Sequence, residues 1–195
     1  ASDVYKRQFL NSKNKQDKLT IHVVRESKSG SVFCSVAPRK GVSDTDVSVD
    51  HMLDCISELG YANSKVYLKN DQEPAIRAVI QGVIERRTAP TLLEETMVGS
   101  SASNSAVESA VSTAGRGIRK LRIALENNYK IQLPLDHTVV PWLVQHAGFC
   151  HNRFQVGHDG RTPYSRIRGK PFNAPICEFA ETVWYKKPKR LIGPD

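Results

Sequence analysis

A mixed α/β sheet flanked by helices is the fold class this sequence predicts. Two short β-rich runs, Thr20–Glu26 and Ser31–Pro38, are joined by a turn-forming cluster at residues 27–30 and read as a hairpin. Downstream, compact strands alternate with stretches of helical hydrophobic period, the order expected of a sheet with crossover helices. The chain has 195 residues, 39% of them hydrophobic and 25% charged, which is enough to bury a substantial core.

After the hairpin, Val49, Met52, Leu53, Ile56 and Leu59 recur at helical spacing over 46–59, and Gly60 ends the run. Lys65–Leu68 is a compact strand. Residues 73–87 are helical again, with Ile76, Val79, Ile80 and Ile84 on one face. Thr91–Met97 reads as a further strand and Val98–Ser105 as a Gly/Ser/Asn-rich loop. A long helix from about Asn104 carries Val107, Ala110, Val111, Ala114, Ile118 and Leu121. Gly115 and Gly117 interrupt it at a cost of roughly 1 kcal/mol each. Another helix covers Thr138–Phe154, and a turn-rich basic segment follows, ending in Trp184-Tyr185-Lys186-Lys187.

Charge and cysteine content narrow the function. No apolar run reaches the roughly 20 residues of a membrane span, and no secretory leader pattern appears, so the chain reads as intracellular with no membrane partner. Cys34, Cys55, Cys150 and Cys177 are scattered without a CxxC pair, against a disulfide framework or a zinc ribbon. His146, Cys150 and His151 lie close on one helix but lack a fourth zinc ligand, so they read as packing residues. The net charge is +8. Residues 1–100 hold 14 basic and 13 acidic residues, whereas 101–195 hold 14 and 7. The second half is therefore where a polyanion would dock, the alternative being a solvated basic surface.

Two carboxylates carry the chemistry. Asp71 directly follows the strand that ends Lys65-Val66-Tyr67-Leu68, where open α/β sheets place their sites. Glu108 sits near the start of the long helix. Together such groups hold hard divalent cations, and a pair of ions activates one oxygen and stabilises another at a phosphodiester. The alternatives are an N-cap role for Asp71 and a plain surface role for Glu108.

The sequence words around them resemble retroelement integrases of the DDE family. LKNDQEPAI is similar to the family's strand ending in its second Asp. SASNSAVESAV is similar to its loop and helix carrying Asn and then Glu, here Asn104 and Glu108, with 36 residues between Asp71 and Glu108. PWLVQHAGFCHNRF resembles the following helix, and DGRTPYSRIRGKP resembles the segment beyond the core in copia-type LTR retrotransposons. The resemblance implies an RNase H-like fold, Mg²⁺ or Mn²⁺ as cofactor, and DNA end processing followed by strand transfer. It also implies element ends and target DNA as partners, homo-oligomers on paired ends, a nuclear location and no nucleotide cofactor; the sequence has no GxxxxGK[ST] loop. By the same match Asn104 shapes the site or contacts DNA. Beyond Glu108 on the helix, Arg116, Arg119 and Lys120 form a basic stripe suited to phosphates, and Lys186 and Lys187 beside Trp184 and Tyr185 suit nucleic acid or nuclear import.

The resemblance implies three segments: residues 1–10 as a truncated first strand, 11–155 as the catalytic core, and 156–195 as a basic extension. The family's first catalytic Asp belongs in that first strand, and Phe9-Leu10 aligns it near Lys6. Asp3 is the available acidic residue, three positions away. The first several residues read as a truncation or an appended scar rather than native sequence. Two other classes remain open: an integrase-derived DNA-binding or assembly module without activity, and another RNase H-like nuclease, which would cleave RNA–DNA hybrids without joining ends.

Overall fold

The computed structural model describes residues 2–4, 8–11, 18–37, 47–70, 73–95 and 101–184. Six strands and five helices follow in the order β1 (Ser2–Val4), β2 (Gln8–Asn11), β3 (Lys18–Glu26), β4 (Val32–Ala37), α1 (Val47–Glu58), β5 (Val66–Asn70), α2 (Pro74–Arg86), β6 (Thr91–Glu95), α3 (Ser101–Tyr129), α4 (Val140–Phe154) and α5 (Pro163–Arg168).

β3 organises the sheet. One edge pairs antiparallel with β4 through Thr20↔Ala37 to Arg25↔Val32. The other edge takes both opening strands, β2 from Gln8↔Ile21 to Asn11↔Lys18 and β1 from Ser2↔Glu26 to Val4↔Val24. Between Val4 and Gln8 the chain advances four positions while its partners on β3, Val24 and Ile21, are three apart, so the register changes by one residue. β1 then pairs parallel with β5, and β5 with β6. The sheet is therefore mixed and five positions wide, with β1 and β2 sharing one of them.

Helices cover both faces because the strands alternate. Val24, Val66 and Leu68 face Met52 and Ile56 of α1 and Val79, Ile80 and Val83 of α2. Ile21, Val23, Val32 and Cys34 face Ala110, Ala114 and Ile118 of α3 and Leu143, Val144 and Ala147 of α4. Burial of such apolar surface at about 25 cal/mol per Å² is the main stabilising contribution.

Three readings of the sequence need correction. The loop expected over Val98–Ser105 gives way to helix at Ser101. Gly115 and Gly117 do not break α3, whose apolar stripe of Val107, Ala110, Ala114, Ile118 and Leu125 offsets their helix cost. Gly117 also lets α3 approach α4 closely, since a Cβ there would lie 3.4 Å from the Cβ of Ala147. Within the turn-rich segment, Thr162 caps a short helix by accepting from the Ser165 N–H at 3.1 Å, with Pro163 behind it and Gly169 at φ 71 closing it.

The hairpin turn after β3 is built on a buried carboxylate. Glu26, 2% exposed, accepts from the Lys28 N–H at 2.8 Å and from both the N–H and hydroxyl of Ser29. Arg166 of α5 reaches this turn, donating from Nη1 to the Ser29 carbonyl at 2.6 Å while its other nitrogens grip Asp159. The hydrogen bonds from Arg166 hold Asp159 well below the usual carboxylate range.

His51 of α1 gives the fold a pH dependence. Its Nε2 lies 3.7 Å from Cys55 Sγ, and its Nδ1 has no hydrogen-bond partner among the described residues. Burial, reinforced by the charge of His22, pushes its pKa down to about 4. An unfolded histidine binds its proton near pH 6.5, so between there and about 4 the unfolded chain is the more protonated state. Stability should thus fall as pH drops through that window, by at most about 1.4 kcal/mol per pH unit. Urea unfolding at pH 7 and pH 5 measures this, and a wild-type slope unchanged in His51→Gln would assign the effect elsewhere.

Candidate active site and nucleic-acid surface

Adjacent strands carry one row of charged positions across the sheet. Arg25 on β3 is in register with Asp3 on β1, Asp3 with Lys69 on β5, and Lys69 with Glu94 on β6. Residues in register share a face, and Leu68, the neighbour of Lys69, belongs to the core on the opposite side. Arg25 and Lys69 therefore lie on the face covered by α3. Arg25 lines a cleft there with Ser109 and Ala110 of α3. Lys69 Nζ is 3.9 Å from Glu94 Oε1, with the lysine half-buried and the glutamate exposed.

β5 ends at Asn70, buried, and Asp71 is the next residue. Asp71 itself lies outside the described residues, as do Lys186 and Lys187, and the side chains of Asp3 and Asn104 are not described. Asn104 falls within the first turns of α3, the helix that also carries Glu108. Glu108 is exposed, next to the buried Val107. Among the described residues no three His, Cys, Asp or Glu side chains converge as a metal cluster. Glu108 is the one member of the carboxylate set whose side chain is described.

The basic residues of α3 divide. Arg116, Arg119 and Lys120 are all exposed, and Arg116 donates to Thr113 Oγ1 at 3.2 Å. Successive steps of four residues drift roughly 40° around a straight helix. Lys120 accordingly lies about 18 Å along the axis from Glu108 and well around it. Arg116 and Lys120 line a cleft of about 510 Å³ between α3 and α4, whereas Arg119 is not in its wall. Trp184, the last described residue, is fully exposed.

The histidines and cysteine of α4 serve packing and the cleft. His146 stacks on Phe149 at 5.3 Å and on Phe179 at 5.0 Å, and burial lowers its pKa. Cys150 and His151 line the α3–α4 cleft, and His151 Nε2 is 3.4 Å from the Gly30 carbonyl oxygen.

Reading the sequence missed three residues of α4. Asn152, 5% exposed, receives the Val32 N–H on Oδ1 at 2.7 Å and donates from Nδ2 to the Val32 carbonyl at 3.0 Å. Gly148 brings α4 against the same strand; a Cβ there would meet Val32 O at 3.0 Å and Cys34 N at 3.3 Å. Arg153 lies 3.8 Å over the Phe149 ring. The signal was a polar or small residue recurring within the apolar run PWLVQHAGFCHNRF, which a buried helix tolerates only against backbone partners.

No protein-family model matches the sequence, and no curated protein does. Solved structures do match. The HTLV-2 integrase catalytic core domain in complex with magnesium, in its trimeric form, superposes with a TM-score of 0.60 at 19% identity over 85% of this chain and 94% of its own. A chain of the simian T-cell lymphotropic virus intasome gives 0.62 at 19% identity, over 95% of this chain and 59% of that one. The catalytic core of BIV integrase gives 0.53 at 20%, over 86% and 93%. The mixed sheet with helices on both faces is thus the RNase H-like fold of retroviral integrase catalytic cores.

Proposed function

We propose that this chain is the catalytic core of a retrotransposon integrase, which processes DNA ends and transfers strands with divalent metal ions. The observation that carries the reading is the parallel pairing of β1 and β5. It sets Asp3 beside Lys69, and the chain runs from β5 directly into Asp71. Support also comes from the shared fold and from a magnesium complex of the HTLV-2 core.

The donor set suits a hard cation: Asp71, Glu108 and Asp3 offer only carboxylate oxygens, and Glu108 is open to solvent on α3. When bound, paired ions supply an activated attacking oxygen and offset charge on the leaving one. Asp71 and Glu108 hold them, and Asn104 shapes the approach. Arg116, Arg119 and Lys120 neutralise DNA phosphates, joined by Lys186 and Lys187 of the tail. The segment DGRTPYSRIRGKP supports the copia-type branch. The same reading makes the working form a homo-oligomer on paired DNA ends in the nucleus.

The test is Mg²⁺- or Mn²⁺-dependent joining of a labelled duplex end by this chain, by Asp71→Asn, and by Lys6→Asp. Joining by the chain that Asp71→Asn abolishes supports the reading with Asp3 as the first carboxylate. Joining only by Lys6→Asp supports it and assigns that role to position 6. Cleavage of an RNA–DNA hybrid without joining would point to a nuclease. Salt-sensitive duplex binding with no reaction by any of the three would leave a DNA-binding module.

A further inference from the structure

The cleft between α3 and α4 has two unlike walls. Arg116 and Lys120 stand on the α3 side, and Phe154 and Gln155 end the α4 side. Among the described residues no Asp or Glu lines it. Phe154 is 46% exposed, although Phe172 packs on it 5.8 Å away and nearly perpendicular. A large aromatic ring left open across from two cations calls for a ligand with both a flat face and negative charge.

A second cleft of about 200 Å³ shares Thr113, His151 and Gln155 with the first, and among the described residues it too is lined without Asp or Glu. It brings in Arg25, which belongs to the charged row beside the candidate active site. The two clefts thus form one cationic track leading from that row along the α3–α4 junction.

We propose that this track binds a single DNA strand, with a phosphate on Arg116 and Lys120 and one unpaired base against Phe154. The inference rests on the nucleic-acid reading above and adds a substrate class to it. A duplex offers phosphates, sugars and base edges, but the faces of its bases are stacked inside, so face-on contact with an aromatic ring favours an unpaired nucleotide. A volume of about 510 Å³ also exceeds what a bare phosphate needs and lies in the range of organic ligands.

The experiment is fluorescence anisotropy of the full chain with a labelled thymidine oligomer of about 12 nucleotides and with a hairpin duplex. Base stacking on an aromatic is worth about 1–3 kcal/mol, so Phe154→Ala should lower the single-strand to duplex affinity ratio about tenfold. Phe154→Trp should keep that ratio and gain a fluorescence signal quenched by the oligomer. The double substitution Arg116→Gln with Lys120→Gln should flatten the single-strand salt dependence by about 0.7 log units per log unit, one phosphate's worth. A ratio unmoved by Phe154→Ala, with duplex binding intact, would overturn the single-strand site and leave the integrase reading standing. Failure of the chain to bind either DNA would overturn both.

Discussion

Replacing Glu108 with Gln is expected to slow metal-dependent DNA joining about a thousandfold and to leave stability within about 0.5 kcal/mol. Gln matches Glu in shape and keeps its neutral hydrogen-bonding capacity, so the change removes one negative charge and little else. Glu108 is exposed, and its buried neighbour Val107 is left in place by the substitution. Charge stabilisation by a bound cation is worth several kcal/mol, and each 1.36 kcal/mol is tenfold in rate. Joining rates across a Mn²⁺ titration, with thermal melting alongside, separate the two effects. They should be read in this chain or, if it alone joins, in the Lys6→Asp background. A rate within tenfold of the parent at saturating metal would remove Glu108 from the ligand set.

Asn152→Ala should destabilise the fold by about 2–6 kcal/mol. β4 has β3 on one side only, and on its other side the Val32 N–H and carbonyl meet the Asn152 amide. Val32 is buried, so removing the amide leaves two backbone groups unsatisfied, each costing about 1–3 kcal/mol. The close approach of α4 at Gly148 holds the amide against this strand. Denaturant unfolding with an unchanged m-value measures the loss. A cost under about 1 kcal/mol would mean that water does enter and bonds both groups.

The hairpin, α1, β5, α2 and α4 were legible because each carries a hydrophobic period that a single face of the sheet selects. Val49, Met52 and Ile56 recur as a helix, and Val66 and Leu68 alternate as a strand. The start of α3 was not legible, since Ser101–Ser105 has loop composition and the packing that orders α3 comes from Val107 onward. For β1 and β2 only the resemblance pointed to a strand, over residues 1–10; their place is set by the free edge of β3 rather than by their own pattern. α5 had its signals in Thr162, Pro163 and Gly169, but six residues are too few for a periodic pattern. At the site, the residue types at 71 and 108 pointed to metal chemistry. The Arg25–Asp3–Lys69–Glu94 row and the α3–α4 cleft arise only once distant segments pair.

The two core clusters share no residue, and the sheet is the wall between them. Val24 packs toward α1 and α2, while Ile21 and Val23 pack toward α3 and α4. A volume change on one side is felt by its own helices and can be compensated there, because substitutions without shared partners act independently. Cores also tolerate many simultaneous apolar exchanges when volume and pattern are kept. Each half of such a fold can therefore drift in sequence without waiting for the other. That is how an architecture persists between chains that agree at only about one position in five.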